Sequence, residues 1–207
     1  MKQIIDLNNW DRANLFQHFN SCTNPFIFLT AEIDITKLYK FAKNNKLSMY
    51  ASITFFILDC VNNIDGFRYR IDKNNIVLYD KVNANFTDNN NGNNIFFFTV
   101  NSNNNLIEFN KKYKKIKKDC ILNNKTYSKK EYDLNEIWVS CCPWLKYNSI
   151  IPPYDQSYSI PQFIWDKFEK KDDKITTNLM IMVHHGFLDG YQIGEFLKML
   201  QDKLNNI

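Results

Sequence analysis

The C-terminal part of this chain constrains its fold most strongly, because a predicted strand is followed there almost directly by a predicted helix. Residues 175–184 are mostly apolar and alternate well enough to predict a strand. After a short turn, Asp189 stands where a helix N-cap is expected. The apolar face of the following helix consists of Ile193, Phe196, Leu197, Leu200 and Leu204. A strand and an amphipathic helix in succession bury their apolar faces together, which indicates a helix layer on a sheet.

Strand and helix patterns also alternate through the rest of the chain. Strands are predicted at 25–34, 95–100 and 137–140, with a hairpin formed by 67–71 and 76–79 around the polar turn 72–75. Helices are predicted after Trp10, after the N-caps Asp34 and Ser48, with 53–61 buried, and along the stripe Leu106, Phe109, Tyr113 and Ile116. This mixture predicts an α/β fold, a two-layer sandwich with a mixed β-sheet. The 207 residues show no repeat or linker, so we expect one domain spanning 1–207.

Composition excludes several functional classes. The net charge of +4 is too small to indicate nucleic-acid binding by itself. No apolar run is long enough for a transmembrane helix, and the N-terminus does not resemble a secretory signal, so we expect a cytoplasmic protein that does not bind membranes. The five cysteines lack the spacing of a metal site or a disulfide framework, which favours buried, reduced thiols and no metal. Five glycines leave no Gly-rich phosphate loop.

Two polar segments are interpreted as solvated surface. The helix at 106–116 continues into a lysine-rich stretch, whose lysines are Lys111, Lys112, Lys114, Lys115, Lys117 and Lys118. Lysines usually solvate the outer face of an amphipathic helix, and we favour that reading over a nucleic-acid or membrane patch. The asparagine clusters at 89–94 and 103–105 are predicted to be turns.

The residues with the clearest chemical meaning are two adjacent histidines. Of three histidines in the chain, His184 and His185 stand together at the end of the predicted C-terminal strand. Successive side chains of a strand point to opposite faces, so only one of the two faces a given cavity. The pKa of histidine lies near neutrality, which suits a general base acting on a hydroxyl. The alternative is that both are core or loop histidines satisfied by backbone carbonyls.

The heptad from His184 to Gly190 resembles the His-His-x-x-x-Asp-Gly motif of coenzyme A-dependent acyltransferases with the chloramphenicol acetyltransferase fold. Related motifs occur in condensation domains, plant acyltransferases and dehydrogenase-complex cores, but the length of this chain suits a single lobe without a lipoyl domain. Further similar segments occur in order at 10–12 with Phe16, at 32–36, at Tyr50, at 67–71, at 76–82 and at 140–144. The chain is therefore similar to the chloramphenicol acetyltransferase family over nearly its whole length.

The resemblance implies roles for four catalytic residues. His185 is the general base, which takes the proton of the acceptor's hydroxyl while that oxygen attacks acetyl-CoA directly. Asp189 forms an ion pair with Arg12 that shapes the histidine loop. Ser140 donates a hydrogen bond to the tetrahedral oxyanion, an interaction worth about 3 kcal/mol of barrier. Family members are homotrimers, in which His185 of one subunit faces Ser140 and the acceptor pocket of the next.

The resemblance also implies binding residues and marks a departure from the family pattern. Tyr50, Trp144, Lys167 and Phe168 match positions that line the coenzyme A channel, with a lysine for phosphate and an aromatic ring for adenine. Phe19, Phe26 and Phe96 are candidates for an apolar acceptor pocket. Ile164 stands where the family usually has a threonine near the oxyanion.

The resulting hypothesis is an O-acetyltransferase that transfers acetyl from acetyl-CoA to a hydroxyl of chloramphenicol and so confers antibiotic resistance. The first alternative keeps the fold, the coenzyme and His185 but uses a different small-molecule hydroxyl or amine. Ile164 favours it, as do departures from the family pattern at 89–94 and in the shorter stretch between Trp144 and Pro161. The second is a non-catalytic homologue that only binds its ligand.

Overall fold

A computed structural model describes residues 1–90, 94–127, 133–155 and 159–207 of the chain. The strands are β1 (Lys2–Ile4), β2 (Phe26–Asp34), β3 (Tyr69–Asp72), β4 (Asn75–Tyr79), β5 (Asn83–Asn90), β6 (Asn94–Val100), β7 (Glu136–Cys142), β8 (Gln162–Asp166), β9 (Glu169–Lys171) and β10 (Lys174–His184). The α-helices are α1 (Ala13–Asn20), α2 (Thr36–Asn44), α3 (Met49–Val61), α4 (Leu106–Leu122) and α5 (Gly190–Asn205).

The central feature is a mixed β-sheet with the strand order β2-β10-β8-β7-β5-β6. Strand β7 runs parallel to both β5 and β8, whereas the other pairs along this order are antiparallel. Strand β9 adds to β10, and a small separate sheet has the order β1-β4-β3. The predicted α/β fold with a mixed sheet and the predicted hairpin of β3 and β4 are confirmed.

Strand β10 shows why the sheet forms the core of the molecule. From Leu179 to His184 every residue is buried, because this strand lies inside the sheet with covered faces on both sides. Leu179 and Ile181 pack into the large core that the helices share with the sheet. Met180 and Met182 belong to a second cluster on the opposite face, together with Phe26 and Ile164. The alternation expected for this strand is therefore absent from its second half.

Local sequence signals account for most helix beginnings. Ser48 caps α3, and its hydroxyl oxygen accepts a hydrogen bond from the Ala51 N–H at 3.3 Å. The N-cap of α2 is Ile35 rather than the predicted Asp34, although the carboxylate of Asp34 accepts from the Thr36 N–H at 2.8 Å. The N-cap is therefore one residue later than predicted. The carboxylate of Asp34 still binds a backbone N–H of the first turn from the position before the N-cap.

The polar segments are mostly surface, as predicted. Five of the lysines on α4 are exposed, while Lys117 is half-buried and forms an ion pair with Asp88 at 2.8 Å. In the second asparagine cluster, Asn105 caps α4. The first cluster contributes Asn89 to β5 rather than to a turn, and its residues 91–93 lie outside the described ranges.

The cysteines are free, and two of them, Cys60 and Cys120, are buried. Cys22 follows α1 on the surface and is exposed, so the expectation of a buried thiol is wrong there. Within the part of the chain that the structure describes, no helix is both long and apolar enough to cross a bilayer.

Candidate active site

The turn between β10 and α5 holds His185 in a defined position. The carbonyl of His184 accepts hydrogen bonds from the N–H groups of Phe187 at 3.0 Å and Leu188 at 3.3 Å, which closes the turn. The N–H of His185 donates to the Pro25 carbonyl at 2.7 Å, which attaches the turn to the start of β2. These hydrogen bonds fix the backbone that carries the His185 side chain.

The ring of His185 is oriented by two contacts. Its Nδ1 lies 3.1 Å from the carbonyl oxygen of Leu188. Because a carbonyl oxygen only accepts, the neutral ring carries its proton on Nδ1 and leaves Nε2 unprotonated. The ring of Phe19 stacks on the imidazole with 3.6 Å between centroids and 13° between planes. His185 is half-buried, so Nε2 has the chemistry of a base with access to solvent or substrate.

Arg12 ties the start of α1 to this turn. Its Nη1 lies 3.3 Å from Oδ2 of Asp189, while its Nε and Nη2 donate to the carbonyls of Gly186 at 3.2 Å and His185 at 3.4 Å. Asp189 also caps α5, since its Oδ1 accepts from the Tyr191 N–H at 2.9 Å. Partial burial raises the pKa of this carboxyl, but the Tyr191 N–H and Arg12 outweigh it, so the pKa lies below its usual value.

His184 differs from its neighbour because it points into the core. It is 1% exposed, and its Nδ1 accepts a hydrogen bond from the Gly186 N–H at 3.1 Å. The ring stacks on Phe16 at 5.6 Å. Burial, and secondarily the nearby His185, lower the pKa of His184 to about 4. His184 is therefore neutral at pH 7, and only one histidine of the pair is available for chemistry.

Ser140 lies on β7 in the floor of a sheet-face cavity of about 430 Å³, which we call the serine cavity. Directly opposite Ser140 in the register is Ile164 of β8. The remaining lining residues are Asn85, Thr87, Ile95, Phe97, Trp138, Pro152, Pro153 and Gln162. None of these described lining residues is charged, so the serine cavity suits a neutral molecule with an apolar part.

A second cavity of about 320 Å³ lies on the helix side of β7, where Cys141 points away from Ser140. Tyr50, Lys167 and Phe168 line it, which brings together three of the four residues predicted to bind coenzyme A. We call it the lysine cavity; the other lining residues are Met49, Cys141, Pro143, Trp165 and Asp166.

Two details of the lysine cavity concern aromatic side chains. The hydroxyl oxygen of Tyr50 lies 2.8 Å from the carbonyl oxygens of both Thr87 and Val139, so its one proton goes to either carbonyl. The fourth predicted residue, Trp144, is 67% exposed and does not line the cavity, although its neighbour Pro143 does.

The predicted acceptor phenylalanines occupy three different places. Phe19 stacks on His185, and Phe26 contacts His184 edge-on at 5.7 Å. Phe96 is 3% exposed in the helix-side core, so the structure does not support its assignment to an acceptor pocket. The next residue, Phe97, lines the serine cavity instead. Because residues 96, 97 and 98 are all phenylalanine, the sequence shows no alternation there that would indicate which of them lies on each face of β6.

The serine cavity also contains residues that the sequence reasoning missed, namely Asn85, Thr87, Trp138 and Gln162. The signal that identifies them is the register. Asn85 pairs with Trp138 across β5 and β7, and Trp138 pairs with Gln162 across β7 and β8. Neither pairing follows from local sequence.

Ser140 and His185 do not meet within one chain. Ser140 lies opposite Ile164, and Ile164 lies opposite Met180 on β10. His185 comes five positions after Met180, so the two α-carbons are roughly 16 Å apart along the strands and roughly 10 Å apart across them. These two perpendicular components give a distance of roughly 19 Å between the α-carbons. The side chains of Ser140 and His185 cannot span that distance and both lie within about 3 Å of one reacting group.

Comparison with protein families and relatives points to one family. The family model described as chloramphenicol acetyltransferase matches residues 2–201. A chloramphenicol acetyltransferase of Staphylococcus intermedius is 31% identical over 209 residues, covering 99% of this chain and 96% of the relative. One from Clostridium butyricum is 28% identical, covering 96% of this chain and 93% of the relative.

Solved structures give the same result. A structure of a chloramphenicol acetyltransferase is similar with a TM-score of 0.85 and 26% identity, covering 99% of this chain and 100% of the other. A probable dihydrolipoamide acetyltransferase of Listeria monocytogenes has a TM-score of 0.72 at 13% identity, with coverages of 96% and 93%. The latter likeness concerns the fold alone.

Proposed function

The chain belongs to the chloramphenicol acetyltransferase family, and we propose that it transfers the acetyl group of acetyl-CoA to a hydroxyl of chloramphenicol. By acetylating that hydroxyl the protein would confer resistance to the antibiotic. We place this reaction in the cytoplasm, where acetyl-CoA is available. The observation that carries the proposal is the 3.1 Å contact of His185 Nδ1 with the Leu188 carbonyl, which leaves Nε2 as a base.

In the proposed reaction, Nε2 of His185 takes the hydroxyl proton while the acceptor's oxygen forms a bond to the thioester carbon. The carbonyl π electrons move to oxygen and give a tetrahedral oxyanion. When the carbonyl re-forms, the C–S bond breaks, and the sulfur leaves with the proton held by His185. The products are the acetyl ester and free coenzyme A, and the base returns to its starting state.

No side chain needs to carry the acetyl group in this scheme. Cys141, the thiol next to Ser140 in sequence, is the natural alternative nucleophile. Burial raises the pKa of Cys141 to about 12, with Asp88 contributing in the same direction, so this thiol is protonated near neutral pH. That state disfavours an acyl-cysteine and supports direct transfer.

Ser140 is proposed to stabilise the oxyanion. Its hydroxyl is a donor in a cavity whose other walls are largely apolar, where a hydrogen bond to a developing charge is strengthened. Directly beside it, Ile164 brings an aliphatic side chain that offers no second donor. Ser140 is therefore the donor we assign to the transition state.

The lysine cavity is the proposed coenzyme A site. Lys167 is exposed at its mouth and suits a phosphate, while Phe168 and the exposed Trp144 offer flat faces for the adenine. Tyr50 forms part of its wall and is held by the backbone of β5 and β7.

The active site is proposed to form between two subunits of a homotrimer. Because roughly 19 Å separates Ser140 and His185 within one chain, the base facing a given serine cavity belongs to another copy. Cyclic closure satisfies this need for every site, since each subunit supplies one base and one cavity.

The acceptor is proposed to be a neutral hydroxyl compound rather than an amine. A protonated amine entering the serine cavity loses its hydration and finds no carboxylate among the described lining residues. Chloramphenicol is neutral, has an aromatic ring and carries hydroxyls. A different hydroxyl compound is the second candidate, favoured by Ile164 in place of the family's threonine.

The proposal is tested by thiol release from acetyl-CoA, with and without chloramphenicol, in the wild type and in His185→Ala. The matched control is His18→Ala, because His18 is the remaining histidine and is exposed on α1. We expect chloramphenicol-dependent release that collapses in His185→Ala only. Wild-type protein that binds coenzyme A but releases no thiol contradicts chloramphenicol as the acceptor. Failure with every hydroxyl and amine acceptor, despite tight ligand binding, favours the non-catalytic alternative.

A further inference from the structure

One lining residue of the serine cavity, Asn85, is held by a chain of hydrogen bonds that fixes which end of its amide faces the cavity. Asn85 lies on β5 between Thr99 of β6 and Trp138 of β7, and it is 6% exposed. Its Nδ2 donates to the hydroxyl oxygen of Thr99 at 3.2 Å. The Thr99 hydroxyl in turn donates to Oε1 of Glu136 at 2.6 Å.

The direction of this chain follows from the chemistry of its last member. A carboxylate only accepts, so the single proton of Thr99 points at Glu136. The oxygen of Thr99 is then left as an acceptor, and only the NH₂ end of Asn85 can bind it. Glu136 is fully buried, and its side chain interacts electrostatically with the buried guanidinium of Arg70. The donors of Arg70 bind backbone carbonyls, those of Phe67, Tyr69, Leu134 and Glu136.

The carbonyl end of Asn85 remains for the cavity. Among the described residues, none donates a hydrogen bond to Asn85 Oδ1, and Asn85 lines the serine cavity. Ser140 is its diagonal neighbour, one strand across and two residues along, at a separation of about 8 Å. An acceptor that places its reacting hydroxyl near Ser140 can therefore contact Asn85 with a second polar group, which lies a few bonds from that hydroxyl.

We propose that Asn85 determines acceptor specificity by accepting a hydrogen bond from a second donor of the acceptor molecule, a hydroxyl or an amide N–H. Thr99 and Glu136 are positioning residues that keep the amide in this orientation. The inference rests on the proposed function, because it assumes that the acceptor binds in the serine cavity. Chloramphenicol belongs to this substrate class, since it carries a primary hydroxyl, a secondary hydroxyl and an amide N–H.

The test compares wild type, Asn85→Leu, Thr99→Val and Thr99→Ser on chloramphenicol and two analogues. One analogue lacks the secondary hydroxyl, and the other has a methylated amide nitrogen. We expect one of the two analogues, the one that lacks the donor bound by Asn85, to have a wild-type KM about tenfold above that of chloramphenicol. This factor is the cost of losing one hydrogen bond. Asn85→Leu should show that raised KM with chloramphenicol itself and no further loss with the analogue. Thr99→Val should lie between the two, and Thr99→Ser, which keeps the hydroxyl, should restore wild-type behaviour.

An unchanged KM for acetyl-CoA in every variant separates this effect from general damage to the fold. If Asn85→Leu discriminates among the three ligands as wild type does, the inference is overturned while the proposed function stands. If wild type releases no thiol with chloramphenicol, the proposed function fails. The same three ligands are then compared by equilibrium binding, using the change in tryptophan fluorescence, because Trp138 lines the serine cavity. Equal affinities in wild type and Asn85→Leu, or no binding at all, also overturn the inference.

Discussion

Acidification should destabilise this protein through His184, the buried member of the histidine pair. Its pKa in the folded chain is lowered to about 4, first by burial, whereas the unfolded chain binds a proton near pH 6.5. Between these values the unfolded state holds more protons, so stability falls as the pH falls. Applying the linkage relation to this one group predicts a loss of about 2 kcal/mol between pH 7 and pH 5.

The assay is thermal unfolding at pH 7 and pH 5, at one protein concentration, for wild type and His184→Asn. Asparagine keeps an acceptor near the position of Nδ1, where it can still bind the Gly186 N–H, but it does not titrate. For a chain of this length 1 kcal/mol corresponds to about 2–4 °C, so the wild-type Tm should fall roughly 4–8 °C more than that of the variant.

Two features make this comparison decisive. Carboxylates titrate in both proteins and cancel in the difference, as does the packing lost against Phe16 at either pH. His18→Asn is the control for replacing a histidine by asparagine at an exposed position outside the turn. Equal Tm changes in wild type and His184→Asn would refute the argument that a neutral, buried His184 supports the turn.

Three further predictions concern the same turn and the lysine cavity. Gly186→Ala should lower kcat by about 10²-fold, because a Cβ there would lie 2.9 Å from the Cα of Phe16 and the turn must move. Steady-state kinetics at saturating substrate measure kcat, and an unchanged value contradicts the prediction. Asp189→Ala should lose about 1 kcal/mol of unfolding free energy relative to Asp189→Asn, because asparagine still caps α5, and urea denaturation measures the difference. Lys167→Gln should raise the KM for acetyl-CoA about fivefold without changing the KM for the acceptor, whereas Lys170→Gln, an exposed lysine outside the lysine cavity, should change neither.

Predictions from sequence succeeded where the interactions are local. The hairpin of β3 and β4, the cap of α3 by Ser48 and the cap of α5 by Asp189 depend on residues only a few positions apart. The expectation that only one of His184 and His185 faces a given cavity also came from side-chain alternation at the end of a strand, although His185 lies in the turn just after β10. Such features are encoded within a segment, and the rest of the fold does not need to be known.

Predictions failed or stopped where the outcome depended on neighbouring strands. Phe96 and Phe97 are chemically identical, and only the position of β6 in the sheet decides which of them lines the serine cavity. Asn85 gave no signal in the sequence, since its role depends on Thr99 and Glu136, which lie on two other strands.

The sequence by itself determined the strand–turn–helix unit that presents His185, because caps, turns and side-chain alternation act over a few residues. Only the tertiary structure decided the strand order, and with it the pairing of Ser140 with Ile164 and the roughly 19 Å between Ser140 and His185. The physical reason is that strand register is set by contacts between distant segments, whose free energy is realised only when the whole sheet assembles.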